Sequence, residues 1–315
     1  MSLQLIKPGL LSLLVDAGRS RSRSLGVPVG GAADRAALAI GNALVGNAPD
    51  ALALEFALAG PTLLAQHSVA GVVFGAPFTL AIDEKSIPAG TTFSLRVGEM
   101  LRIGGTASGV RGYLCVAGGF EAAEVLGSRS SLELLNAGEW LTCGPSHCEP
   151  RGLGFSSLQS SGPPDLLGKT IRVLPGPQRD WFPDDRFFSQ SYVVSAASNR
   201  MGLRLQGEQL ARKPGELVSE AVAPGAVQIT NDGLPVVLGV DGQTIGGYPK
   251  IAHVIRADLD VLAQLRPGEA VHFRLVLWEE AERAAKERAA NLQIWLARIR
   301  AADRAPERVG VSLGK

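Results

Sequence analysis

Cysteine is scarce in this chain of 315 residues: only Cys115, Cys143 and Cys148 occur. Three thiols build no disulfide framework, so packing has to hold the fold. Histidine is almost as rare, with His67, His147, His253 and His272 scattered along the sequence. The last two lie inside apolar runs, where a hydrogen-bonded structural role is expected rather than a catalytic one. Charge of one sign is missing too: the net formal charge is +1, which gives no general attraction to nucleic acid or anionic membrane. No stretch approaches the roughly 18 apolar residues of a membrane span. The opening MSLQLIKPGLLSLLVDAGR has no basic region, long apolar core or small-residue cleavage site of a secretory signal, so a cytoplasmic location is expected. Absent as well are a GxSxG elbow, a P-loop, an HExxH helix and a dinucleotide fingerprint set between strand and helix. Cys143, His147 and Cys148 lie close in sequence but in a polar stretch with no second pair of ligands, and no metal site is expected. Cys115, in the run LCVA, reads as a small packed hydrophobe.

What the chain does have is glycine, proline and short apolar runs: Gly 38, Pro 19 and a hydrophobic share of 46%. Runs of apolar residues bounded by turn residues predict strands over 69–75, 78–82, 91–97, 99–103 and 110–117. After the polar stretch 144–166, further strands are expected over 170–174, 192–195, 203–206, 226–230, 235–240, 251–257 and 271–277. That stretch is the best linker candidate and divides the chain into units over 1–150 and 151–315. Barrel closure would remove the exposed edges that so many short strands otherwise leave. Two helices stand out. Asp34 can cap one over 35–45, ended by Gly46 and Asn47. The other, over 278–300, is long and amphipathic, with Trp278, Ala281, Ala285, Leu292, Trp295, Leu296 and Ile299 along one side. The plain expectation is that it packs on the second unit; docking on a partner is the alternative.

Candidate chemistry lies in four glycine-rich loops with charged residues set among the glycines. They are 16–35 with Asp16, Arg19, Asp34 and Arg35; 111–133 with Arg111, Ser128 and Arg129; SNRMG at 198–202; and DGQTIGGYPK at 241–250. The last is the richest, offering a carboxylate, an amide, a hydroxyl, a phenol and an ammonium around three glycines. Such a set suits a small, planar, polar ligand. Asp241 could accept an N–H, while Lys250 or Arg200 could pair with a carboxylate or phosphate.

The segments GVPVGGAADR (26–35), NALVGN (42–47), RGYLCVAGGF (111–120), VLGSRSSLE (125–133), PGPQRDWF (175–182), SNRMGLRLQG (198–207), LVSEAVAPGAVQI (217–229) and DGQTIGGYPKIA (241–252) together resemble the biotin-dependent carboxyltransferase family, in matching order from about Pro8 to Leu277. That family includes one of the subunits of bacterial 5-oxoprolinase and the KipA protein. The resemblance implies a mainly β chain with two cyclophilin-like β-barrel subdomains and a few helices. It also implies a heteromeric complex with two further oxoprolinase components, a KipI-like one (the B component) and the A component. Such a complex opens 5-oxoproline to glutamate with ATP, which is shared with those partners, and this chain would be inactive alone. The first loop departs from the family pattern at Val15, Ser20, Arg21, Gly30 and Ala33, whereas the 198–202 and 241–250 segments keep it.

The leading expectation is one component of an ATP-dependent lactam hydrolase. Asp241 and Gln243 would recognise the lactam N–H and C=O, and Arg200 and Lys250 the substrate carboxylate or phosphate. Asn199, Thr244, Gly246, Gly247, Tyr248, Arg111 and Asp34 would complete the site. All of this requires that the 199–202 and 241–250 segments line one shared pocket. A carboxyltransferase component for urea or another small amide is the second reading. The chain has no Met-Lys-Met biotinylation site, so that reading needs a separate biotin carrier. A regulator of the KipA type, binding a KipI-like kinase inhibitor without turnover, is the third.

Overall fold

The computed structural model describes residues 3–131, 133–153 and 169–302. Part of the 144–166 stretch lies outside these residues. Up to residue 141 the strands form two antiparallel sheets. The six-stranded sheet runs β11 (Trp140–Leu141), β1 (Leu3–Lys7), β4 (Thr62–Ala65), β9 (Met100–Thr106), β6 (Phe78–Ile82) and β7 (Lys85–Ile87). The five-stranded sheet runs β2 (Ser12–Val15), β3 (Ala53–Ala57), β10 (Arg111–Val116), β5 (Val69–Gly75) and β8 (Phe93–Leu95). Leu3, Leu5, Leu63 and Leu101 of the first sheet meet Leu54, Phe56, Val73 and Leu114 of the second in one buried core.

Strand alternation then puts Leu13, Val15, Ala53, Val72, Phe74, Tyr113 and Cys115 on the opposite face of the five-stranded sheet. That face is covered by helix α1 (Arg35–Leu44), which explains why 69–74 reads as an unbroken apolar run. Asp34 caps α1 as expected, accepting the Ala37 N–H at 2.9 Å. Gly41 lets the helix sit close: a Cβ there would lie 2.9 Å from Cys115 Sγ and 3.2 Å from Phe74 Cβ.

The second half closes into a barrel in the order β12 (Lys169–Pro175), β19 (Lys250–Val254), β16 (Ala226–Ile229), β17 (Pro235–Leu238), β14 (Gly202–Gln206), β13 (Tyr192–Val194) and β20 (Ala270–Leu275). The β20 edge returns to β12 in parallel and completes the ring. Inside it pack Ile171, Val173, Val227, Ile229, Val237, Ile251, Phe273 and Tyr192, with Phe187 of the short helix α2 (Arg186–Ser189) stacked on Phe273. A ribbon of two short strands, β15 (Glu220–Ala221) and β18 (Ile245–Gly246), pairs separately from the barrel. The chain is therefore mainly β, as the sequence predicts. The barrel is closed in the second half, and the described strands of the first half pair as two facing sheets.

After helix α3 (Leu259–Leu262), the chain ends its described course in helix α4 (Trp278–Ala302). The expectation that this helix packs only on the second unit needs correction. Ala281 and Ala284 pack with Ile255, Ala257 and Val276 of the barrel side, whereas Leu296 and Ile299 join the core under α1. The helix spans both halves. Trp278, placed on its apolar side from sequence, is 66% exposed. Among the described residues, no helix is long and apolar enough to cross a membrane.

Candidate functional site

Charge is concentrated where the two halves meet. Glu55 on β3 is fully buried, an acid inside the otherwise apolar strand ALEFA. Its Oε1 accepts Arg200 Nη1 and has Arg111 Nε at 3.4 Å; its Oε2 accepts the Tyr113 hydroxyl at 2.8 Å and the Ala33 N–H at 3.0 Å. Burial alone would push this carboxyl up, but the Arg200 and Arg111 guanidiniums outweigh it and hold Glu55 below the usual range. Arg200 also donates Nε to Asp241 Oδ2 at 2.6 Å and Nη2 to Asp241 Oδ1 at 2.9 Å and to Gly31 O at 2.7 Å. One guanidinium from the barrel thus ties a first-half strand, a first-half loop and the 241–250 loop together.

Asp34 belongs to the same network. Its N–H donates to Tyr113 Oη at 2.8 Å, and its Oδ2 accepts Gln264 Nε2 at 2.8 Å. Gln264 Oε1 in turn accepts the N–H groups of Val110 and Arg111. Burial, and then the neighbouring Asp260 carboxylate, raise the Asp34 pKa from the ordinary 3.8 to about 7.

The expected single pocket is not what the structure contains. Asn199, Arg200 and Arg111 line a mostly apolar cavity of about 930 Å3 between the halves, walled by Leu11, Ala57, Val237, Leu262 and Leu292. Gln243, Gly246, Gly247 and Tyr248 line a separate polar groove of about 760 Å3 with Arg212, Ser219 and Asn231. The two loops touch through the Arg200–Asp241 side-chain pair and through Asp241 N–H to Arg200 O, yet they open onto different spaces. The physical reason is that Asp241 turns inward to Arg200 while the rest of its loop continues outward into the β15–β18 ribbon. Asn199 caps its own turn, accepting the Met201 N–H at 2.9 Å. Thr244 is buried, and its carbonyl accepts the Val222 N–H.

Under the ribbon sits a second polar cluster. Lys250, 6% exposed, donates Nζ to Glu220 Oε1, which also accepts Gln178 Nε2 at 2.8 Å. Gln178 Oε1 accepts the Lys250 N–H at 3.0 Å. Those two donors hold the Glu220 carboxyl below its usual pKa. Gln228 stands opposite Lys250 in the β16–β19 ladder and is buried, with no acceptor for its Nε2 among the described residues. Gly246 makes this arrangement possible: a Cβ there would come within 2.6 Å of both Gln228 Nε2 and Gln243 Nε2.

The first two glycine-rich loops also meet. Asp16 accepts the Gly18 and Arg129 N–H groups and the Ser128 and Ser130 hydroxyls, and Arg19 donates to Val125 O and Ser130 O. Backbone N–H groups of such loops are natural phosphate cradles. Here they are filled by the protein's own carboxylates: Asp16 in the first loop, and Asp34, Glu55 and Asp260 about the start of α1. These donor sets do not fit a nucleotide phosphate. Among the described residues no group of three His, Cys, Asp or Glu side chains could hold a metal ion. Cys115 is buried, and burial raises its thiol pKa, as suits a packed hydrophobe.

Residues 25–275 match the family model described as carboxyltransferase domain, subdomain A and B. The chain belongs to this carboxyltransferase family. It is 37% identical over 300 residues to the C subunit of 5-oxoprolinase from Escherichia coli (strain K12), spanning 90% of this chain and 94% of that protein. It is 36% identical to the protein of that name from Haemophilus influenzae, over 90% of this chain and 93% of that protein. In structure it resembles the K. lactis urea amidolyase with a TM-score of 0.82 and 26% identity, over 93% of this chain. There the likeness covers only 20% of the solved chain, so it concerns one region of a much longer protein.

Within this carboxyltransferase fold, the side chains that sequence reasoning missed are Glu55, Gln178, Glu220, Gln228 and Gln264. Two of them left a signal. Glu55 and Gln228 each interrupt an apolar strand, in ALEFA and AVQI, where a polar side chain has to find a partner or a ligand.

Proposed function

We propose that this carboxyltransferase-family chain is the C component of a bacterial ATP-dependent 5-oxoprolinase. It would work in complex with a KipI-like B component and an A component, and convert 5-oxoproline, ATP and water to glutamate, ADP and phosphate. The observation that carries this reading is the 37% identity to the C subunit of a 5-oxoprolinase across nearly the whole of both chains. The barrel-side groove supports it chemically. Gln243 offers an amide that can both donate to and accept from a lactam, Gly246 and Gly247 allow close backbone approach, and Tyr248 at the rim adds a phenol. Lys250 does not line the groove; buried beneath the adjoining ribbon, it supplies the positive charge for a substrate carboxylate.

Arg200 and Asp241 take a different part in this reading. Four of the five guanidinium N–H groups of Arg200 are taken by Asp241, Glu55 and Gly31, so the pair positions the loop rather than touching the ligand. An amide is a poor electrophile, and the chemistry ATP supplies is conversion of the carbonyl oxygen into a leaving group. Because internal carboxylates fill the loops about Asp16 and the start of α1, the nucleotide is assigned to a site completed by the partner chains.

The test is reconstitution with the A and B components, measuring glutamate release and ATP turnover. ATP turnover dependent on 5-oxoproline and independent of bicarbonate is expected, with Gln243→Ala reducing it at least about tenfold. The likeness to urea amidolyase favours one rival, a carboxyltransferase component for a small amide served by a separate biotin carrier. Turnover that needs bicarbonate and urea, with none on 5-oxoproline, would replace the first reading with that one.

A further inference from the structure

The cluster beneath the β15–β18 ribbon has an uneven composition. Its donors stand on the closed barrel or directly against it: Lys250 on β19, Gln228 on β16, and Gln178 in the turn after β12. All three are buried, Lys250 at 6%, Gln178 at 8% and Gln228 at 2% exposure. The acceptor they converge on, Glu220, comes from a ribbon of only two residue pairs, and its side chain is 42% exposed. Glu220 Oε1 takes both the Lys250 ammonium and the Gln178 amide. Gln228 Nε2 lies beneath Gly246, the ladder partner of Glu220, and among the described residues donates to nothing. A buried donor without an acceptor is costly unless a ligand completes it.

We propose that Glu220 is an internal stand-in for the carboxylate of a small ligand. In the liganded state the ligand carboxylate takes Lys250 Nζ and Gln178 Nε2 from Glu220 and gives the idle Gln228 N–H its acceptor, while the half-exposed Glu220 side chain swings outward to solvent. An ammonium and two amide N–H groups on a rigid wall suit a monocarboxylate, whose two oxygens can accept from all three. A neutral diamide such as urea has no group to replace Glu220. The identification of this carboxylate with that of 5-oxoproline rests on the functional reading above; binding of a carboxylate does not.

The experiment titrates the assembled complex, without nucleotide, with 5-oxoproline and with 2-pyrrolidinone, the same lactam ring lacking the carboxylate. Wild-type protein should prefer 5-oxoproline by about tenfold or more, as a charge-assisted contact implies. Glu220→Gln removes the competing charge and should tighten 5-oxoproline by about threefold to tenfold, leaving 2-pyrrolidinone unchanged. Lys250→Met should abolish the preference. If Glu220→Gln fails to assemble, Gln228→Met gives a test of opposite sign, with 5-oxoproline weakened by about threefold and 2-pyrrolidinone unaffected. A folded Glu220→Gln complex that binds 5-oxoproline no more tightly than wild type overturns the proposal. So does wild-type protein that binds both ring compounds equally. A complex that turns over 5-oxoproline with a KM indifferent to Glu220 overturns the stand-in and leaves the functional reading intact. A complex with no turnover, whose 5-oxoproline binding still depends on Glu220 and Lys250, supports the stand-in and removes the functional reading.

Discussion

Two buried polar clusters, built from similar residue types, differ in the acceptor at their centre. At the junction of the halves, Glu55 meets Arg200, Tyr113 and the Ala33 N–H on well-formed bonds, and Arg200 is engaged by Asp241 and Gly31 as well. Under the ribbon, Lys250 and Gln178 share one oxygen of a half-exposed Glu220, and Gln228 Nε2 is idle. Among the described residues each cluster has a buried donor without an acceptor, Arg111 Nε at the junction and Gln228 Nε2 under the ribbon, so the contrast lies in the acceptors. Glu55 is fully buried and held by three hydrogen bonds, and such a network inside a low-dielectric junction keeps elements in register. Glu220 is half-exposed and can exchange partners, so by that criterion the junction is architecture and the ribbon cluster is the place for a ligand.

The largest effect that could break this contrast is at the junction. Arg200→Met leaves buried Glu55 with the Arg111 guanidinium at 3.4 Å as its remaining counter-charge and should cost about 3 kcal/mol in urea unfolding. A loss under about 1 kcal/mol would mean that the Arg200–Glu55 pair does not carry the junction. Next comes the brace between the halves. Leu296→Ala, truncating a buried side chain on α4, should cost about 2–4 kcal/mol. The same substitution at the exposed Ile294 should be nearly silent, and equal losses at both sites would contradict the packing of this helix.

A subtler effect comes from Asp34. Its folded pKa of about 7 lies above the ordinary 3.8, so between those values the folded chain holds a proton that the unfolded chain releases. The Asp34 contribution is therefore fully present below about pH 4 and is lost as pH rises through 7. Asp34→Asn keeps a helix cap. The stability difference between wild type and variant should fall across that window; a flat difference would refute the raised pKa.

Smallest of all should be the stability change in Gly246→Ala. The new methyl crowds the amide ends of Gln228 and Gln243 and meets Val222 Cγ1 at an ordinary 3.5 Å, and unfolding should move by less than about 1 kcal/mol. Affinity for a groove ligand should nevertheless drop, since both amides are pushed aside. A large stability loss with unchanged binding would reverse the roles given to the two clusters.

Much of this architecture could be read along the chain because it rests on local rules. The short apolar runs that mark 69–75, 78–82 and 226–230, and the Asp34 cap followed by Gly46, concern neighbours within a few residues. The junction could not be read that way. Glu55 and its partner Arg200 are separated by 145 residues, and nothing in ALEFA names the guanidinium that its acid requires. The 241–250 segment drew attention through residue types alone, which gave no hint that Asp241 would face inward while Gln243 and Tyr248 face the groove. The direction of a side chain in a glycine-rich loop is set by the elements packed around it, and those arrive from elsewhere in the sequence.

The path of α4 bears on how the polypeptide matures during synthesis. The core beneath α1 includes Leu296 and Ile299, which are translated long after β2, β3, β5 and β10. The first half therefore leaves the ribosome with part of its apolar floor unroofed, and its lid emerges only with the final helix. Until then the nascent protein carries a sticky face that a chaperone or a neighbouring chain can seize, so ribosome stalling shortly before residue 296 should be the stage most prone to aggregation.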